Sequence, residues 1–172
     1  MALNIRKLTN ANIYVDGANL LGQSKSVELP EIAHKMVDHE ALGMIGMTEF
    51  FAGIEKMEAK IVWNSFYPDS AGKIYNPTVP VSMQIRSSLE KYEAGGRTEE
   101  LPFVVYMTAA FKNAPTGKFG QHENVDFESQ LAVYYVKIEV NGVEYLEIDV
   151  LANIYRVDGV DIMANYRSNL GI

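Results

Sequence analysis

The residues of this chain whose type and spacing come nearest to chemistry are four carboxylates, Asp126, Glu128, Glu147 and Asp149. Paired carboxylates on a β surface can act as general acid and base on sugars when they face each other across a gap of about 5–10 Å. The strand register puts Glu128 opposite Tyr155 and Glu147 opposite Val136, so the four make a stripe and not a facing pair. Such a stripe is either a solvated surface or the wall of a polar channel, and catalysis is not expected. His34, His39 and His122 are the histidines; the first two lie five apart, on opposite sides of a strand, and do not converge as metal ligands. Cysteine is absent, which excludes disulfides, thiolate catalysis and Cys-type metal sites together. There is no Gly-x-Ser-x-Gly elbow, and Gly117-Lys118 lacks the upstream glycine and following Ser/Thr of a phosphate loop. No cofactor or metal is expected, and no enzyme.

The carboxylates would be positioned by two β-patterned runs between Val125 and Asp158 that meet at Asn141-Gly142. This dipeptide is the strongest short signal for a two-residue hairpin, because both turn positions need φ > 0. Val140 then faces Val143, and one face collects Phe127, Leu131, Val133 and Tyr135 with Ile148, Val150, Ala152 and Ile154. The other face carries Val136, Ile138, Val140, Val143 and Tyr145 near the turn but the carboxylates farther away. Each strand would have about 16 residues and span roughly 50 Å, against a usual length of about 5–6 residues. Two readings account for the exchange of faces. Either the base of the hairpin belongs to its own core and the tip finds apolar cover on another molecule, or a bulge twists a strand inside a single sandwich.

The rest of the chain also reads as β. Asn12 to Val15, a turn at Asp16-Gly17 and a return from Asn19 to Gln23 form a small hairpin; Ser26 to Val37 is extended, with Pro30 at an edge. Met57, Ala59, Ile61 and Trp63 alternate with polar neighbours, as do Val81 to Leu89 and, after Gly95-Gly96, Leu101 to Phe111. Prolines at 68, 77 and 80 limit any helix to about two turns near Asp69 to Tyr75. Asp158 or Asp161 could cap a C-terminal helix ended by Gly171. The expected architecture is an antiparallel β-sandwich or barrel spanning 1–172, with a short flanking helix and a C-terminal helical turn. It carries an extended loop at about 38–55 and a long hairpin at about 125–158.

Within that loop, Gly43, Met44, Ile45, Gly46 and Met47 place bare apolar side chains between flexible glycines. They are either contact residues for another molecule or a loop folded back on its own core. With Ile138, Val140, Val143 and Tyr145 they form the candidate intersubunit surface.

Composition narrows the function classes. Hydrophobic residues are 48% and no apolar run approaches a membrane span, so a soluble globular protein is expected. The opening MALNIRKLTNANIYVDG has no apolar core of a secretory leader, so lysis or another machine would release the protein from a cell. With 15 basic against 22 acidic residues, net −7, the surface should repel nucleic acid and not hold it by phosphate neutralisation. Tyr134, Tyr135, Tyr145, Tyr155 and Tyr166 are not interleaved with Arg or Lys, so packing suits them better than base stacking.

Three stretches carry a resemblance: LTNANIYVDGANLLGQSKSVELPEIAHKM, ALGMIGMTEFFAGIEKMEAKI, and YYVKIEVNGVEYLEID followed by DGVD and NLGI. Their order resembles the major tail tube proteins of contractile-tailed phages and of R-type bacteriocins. The resemblance implies a structural subunit whose hexameric rings stack into a hollow tube inside a contractile sheath, each β-sandwich giving strands to one inner barrel. It implies self-association and contacts with sheath, baseplate or tube initiator, and tape-measure proteins. DNA would pass through the lumen without specific binding, or ions would pass in a genome-free particle. It also implies assembly in the bacterial cytoplasm and a place in a virion tail or extracellular bacteriocin. Asp126, Glu128, Glu147 and Asp149 would then line the lumen. The alternatives are a secretion tube of the type VI kind and a monomeric β-barrel holding a small ligand inside.

Overall fold

A computed structural model describes residues 4–172. The chain runs β1 (Ile5–Val15), β2 (Ala18–Asn19), β3 (Ser24–Glu28), β4 (His34–His39), β5 (Thr48–Ile54) and β6 (Met57–Trp63), then α1 (Pro68–Ile74). It continues through β7 (Val81–Glu93), β8 (Gly96–Phe111), β9 (Phe127–Val140), β10 (Val143–Asp149), β11 (Ile154–Val157), β12 (Val160–Asp161) and α2 (Ala164–Leu170). The expected antiparallel β architecture, with one short helix and one C-terminal helix, is what the chain adopts.

The main sheet is ordered β12-β11-β10-β9-β8-β7-β1-β2, and β6 also pairs with β9 and carries β3 on its other edge. β9 is the hinge of the topology. Its first half, Phe127 to Val133, pairs with β6, and its second half, Tyr135 to Val140, pairs with β10 on the same edge. The sheet therefore curls around one core drawn from β1, β6, β7, β8 and β9. Ile61, Val105, Ala109 and Leu131 have no accessible surface, and Trp63 and Met107 retain 2% or less. The interior is filled by side chains, so a carrier barrel with its ligand inside does not describe this molecule. Trp63 donates its indole N–H to the buried Ser129 hydroxyl at 2.9 Å, which satisfies the two polar groups deepest in the core.

The long hairpin is corrected in three respects. Asn141 and Gly142 form the turn with φ of 51° and 77°, and Val143 faces Val140 as expected. A register shift at Tyr145 then pairs Leu146 with Ile138 and Glu147 with Lys137 instead of Val136. A second shift, at Tyr134, exchanges the faces of β9, so that Leu131 and Val133 on one side of it and Val136 on the other all point into the core. The exchange of faces is thus a bulge, the second of the two readings. Finally, the return strand does not run to Asp158. It stops at Asp149, turns through 150–153 and folds back as β11, which pairs with β10. Glu128 therefore faces Val62 of β6 and not Tyr155.

The extended region at about 38–55 is also more ordered than a loop. β4 and β5 form a separate two-stranded ribbon, closed by residues 40–47. The short helix falls where the prolines allow, at Pro68–Ile74 with Pro68 in its first turn. α2 ends at Gly171 with φ 74° as its C-cap. No side chain caps its start; Asp161 instead accepts the Met163 N–H at 3.0 Å and binds Arg167 at 2.6 Å.

Candidate assembly surfaces

Two surfaces stand apart from the packed core, and each follows from strand alternation. The first is the outward face of β7 to β11. Pairing registers align it in cross-strand rows: Gln84, Tyr106, Lys137, Glu147 and Arg156 in one, and Ser82, Thr108, Tyr135, Asp149 and Ile154 in the next. Opposite charges meet along these rows. Lys137 sits 2.6 Å from Glu139, 3.6 Å from Glu144 and 5.9 Å above the Tyr106 ring. The Glu139 hydrogen bond, aided by the field of Glu144 and Glu147, holds the Lys137 ammonium above its ordinary pKa. Glu147 accepts from the Tyr135 hydroxyl at 3.0 Å and pairs with Arg156. Burial, then that bond to Glu147, pushes the Tyr135 phenol up, so it stays a neutral donor.

This geometry divides the four carboxylates. Glu147 and Asp149 lie on the polar face, and Asp149 also closes the 150–153 turn by accepting the N–H groups of Leu151 and Ala152 at 3.0 and 2.9 Å. Asp126 and Glu128 lie at the other end of β9, ion-paired with Lys25 and Lys60 at 2.9 Å each. They belong to the β3–β6 border and not to one stripe with the other pair.

The second surface is the β4–β5 ribbon. Met36 faces Phe51 and Val37 faces Phe50, so both sides of the ribbon are apolar, and the four are 44%, 44%, 51% and 58% exposed respectively. In the connecting loop Leu42 and Ile45 are fully exposed and Met47 is 63% exposed, with Met44 at 43%. Gly43 adopts φ 88°, a conformation that favours glycine. The loop thus does not fold back on its own core. At the ribbon's root His34 Nε2 and the Tyr155 hydroxyl share a 2.8 Å hydrogen bond, and Phe51 stands edge-on to His34 at 5.7 Å. Phe51, Ile148, Ile154, Met163 and Tyr166 enclose a cleft of about 490 Å³ there. His39 packs instead on Phe50, so the two histidines point to opposite sides as the sequence suggested.

The remaining candidate contacts are mixed. Val143 and Tyr145 are 57% and 48% exposed, and Val140 is half-buried. Ile138 is packed against the core of its own chain. The sequence reading omitted Met36, Val37, Leu42, Phe50 and Phe51. Phe50-Phe51 was a usable signal, because adjacent aromatics on a two-stranded ribbon must present one ring to each side.

Residues 5–171 match the family model for the phage tail tube protein FII. The chain belongs to this family. Among phage tail tube proteins it is 28% identical over 169 residues to the tail tube protein of Escherichia phage P2, covering 97% of this chain and 98% of that one. It is also 28% identical over 159 residues to the major tail tube protein of Serratia phage KSP20, covering 91% and 90%. The fold is shared with a chain of the PVC sheath–tube complex of an extracellular contractile injection system in its extended state. That likeness has TM-score 0.53 and 14% identity, over 75% of this chain and 87% of that one. A chain of the PVC sheath/tube terminator matches with TM-score 0.55 and 13% identity, over 75% and 92%. This tail tube protein is therefore a structural subunit of a phage-type tail tube.

Proposed function

We propose that the subunit forms hexameric rings which stack into the hollow inner tube of a contractile tail, within a sheath and on a baseplate or tube initiator. The observation that carries this reading is the two-sided sheet. One side of β7 to β10 is sealed by the core, and the other is a continuous polar surface of the kind that can border a water-filled bore. Glu139, Glu144, Glu147 and Asp149 outnumber Lys137 and Arg156 on that surface. An acidic excess leaves DNA without the phosphate neutralisation that grips it, so a genome slides past, and in a particle without a genome the same wall favours cations. Lumen lining is assigned to Glu147 and Asp149, while Asp126 and Glu128 sit at the far end of β9 beside Lys25 and Lys60. The Gly43–Met47 loop, Val140, Val143 and Tyr145 supply contacts between copies. Sheath and tape-measure proteins are its neighbours in a virion tail or bacteriocin-like particle.

Negative-stain microscopy of the purified protein at rising concentration tests the reading. Rings with sixfold top views, or hollow tubes, are expected. Compact single copies persisting at millimolar concentration would overturn it.

A further inference from the structure

The β4–β5 ribbon is regular along its length and irregular at its root. Its strands pair in register from His39 with Thr48 down to Met36 with Phe51, and again at Lys35 with Gly53 and His34 with Ile54. Between these two stretches Ala52 has no partner, so the root carries a β-bulge. Gly53, beside it, takes φ 140°, a backbone conformation that L side chains rarely adopt. A Cβ built there would meet no atom within 4 Å, so glycine serves the backbone at this position and not close packing.

Below the bulge the base is clamped. Ile32 and Ile54 pack against the core, the Glu55 N–H donates to the Ala33 carbonyl at 2.8 Å, and His34 Nε2 shares its 2.8 Å hydrogen bond with the half-buried Tyr155. Above the bulge the body offers no such hold. Among the described residues, the ribbon between Lys35 and Gly53 makes no hydrogen bond or ion pair with the rest of the chain.

The cleft of about 490 Å³ opens on the bulge. Phe51 to Ile54 form its ribbon wall, and Ile148, Ile154, Met163 and Tyr166 form its wall on the body. Phe51 and Tyr166 are 44% and 49% exposed. Closing the cleft takes apolar surface on both walls out of water and breaks no hydrogen bond of the arm with the body. The six residues of β4 span about 20 Å at roughly 3.3 Å each, so a swing of about 10° at the root carries the far end roughly 3 Å.

We propose that the ribbon is a hinged arm which pivots at the Ala52–Gly53 bulge over its clamped base and closes the cleft by laying Phe51 on Met163 and Tyr166. In the position the structure shows, the cleft is open. In the closed position the Met36–Phe51 side is withdrawn from other molecules, while Val37 and Phe50, on the opposite side, stay uncovered. The device belongs to a single copy and does not depend on the tube reading.

The sequence has no cysteine, so two dyes can be placed at will. The full-length protein with Thr48→Cys and Asn169→Cys carries a donor and an acceptor, and energy transfer is read from single molecules at picomolar concentration, where no second copy contributes. Two exchanging populations are expected, the lower-transfer one being the open arm. Tyr166→Ser strips the far wall and should deplete the higher-transfer population at least threefold. Deleting Ala52 removes the bulge while keeping the pairs on both sides of it, and should leave the lower-transfer population alone. If that deletion fails to fold, shown by loss of a cooperative melt, Phe51→Ser takes its place and should act like Tyr166→Ser. A single population in the parent overturns the hinge, and so do two populations whose ratio none of these changes shifts. Tube formation at high concentration does not enter this readout, so either reading can fail without the other.

Discussion

In β6, Met57, Ala59, Ile61 and Trp63 are all between 0 and 4% exposed, whereas the ribbon residues Val37 and Phe50, no less apolar, are 51% and 58% exposed. β6 has β3 on one edge, β9 on the other and a core against its face. Beyond its root at His34 and Ile54, the ribbon pairs only with itself. A lone two-stranded ribbon is marginal in water, and this one keeps apolar side chains exposed on both faces, which supports the proposed contact with another copy. Burial is decided by what the topology brings opposite a strand, not by how apolar the strand is.

The sharpest way to separate the two regions is to truncate each. Trp63→Ala should remove about 3–5 kcal/mol of stability, measured by denaturant melts, because a buried indole leaves a cavity. Ser129→Ala keeps the volume but orphans the buried Trp63 N–H, and should cost about 1–3 kcal/mol. Phe50→Ser, by contrast, should change single-copy stability by less than about 0.5 kcal/mol while abolishing sedimentable polymer. If Phe50→Ser melts like Ser129→Ala, the ribbon is part of the core and the contrast fails. Tyr145→Asp and Val140→Asp are expected to behave like Phe50→Ser, with the larger stability loss at half-buried Val140. The four-amide change at Asp126, Glu128, Glu147 and Asp149 should leave tube yield unaltered.

The smallest effect is a pH dependence in the packed region. Burial would raise the Asp16 carboxyl, but the Ser82 N–H at 2.9 Å and Lys73 at 3.0 Å outweigh it and hold the group below its ordinary 3.8. The folded chain therefore binds this proton less tightly than the unfolded chain. Asp16 contributes stability above its ordinary value and loses it as pH falls through the lower folded one. Acid melts below about pH 4 should be shallower for Asp16→Asn than for the parent; parallel acid limbs would refute the assignment.

Much of the fold was legible because it rests on local signals. Asn141-Gly142 set the hairpin turn, the alternation from Val81 to Leu89 and from Leu101 to Phe111 gave two strands their inward faces, and Asp16-Gly17 gave the first turn. What escaped was parity. The Tyr134-Tyr135 doublet places an aromatic on each side of β9, so a bulge there leaves no polar residue on the wrong face to betray it. Val150 and Leu151 read as strand because they are apolar, although Asp149 binds the N–H groups of the 150–153 turn and Asn153 takes φ 53°. The stripe of four carboxylates depended on a register that these two features break. Composition singled out the Gly43–Met47 loop but left open whether it folds back on its own core, which only the exposure of Leu42, Ile45 and Met47 decides against.

Hydrogen exchange on the wild-type protein, dilute and then polymerised, tests the central claim that the ribbon is uncovered in one copy and covered by another. The account predicts fast exchange across residues 34–54 at dilution and strong protection there once polymer forms, with β6 and the inner half of β9 slow in both states. A ribbon already protected in dilute single copies, or still fast in sedimented polymer, would contradict it.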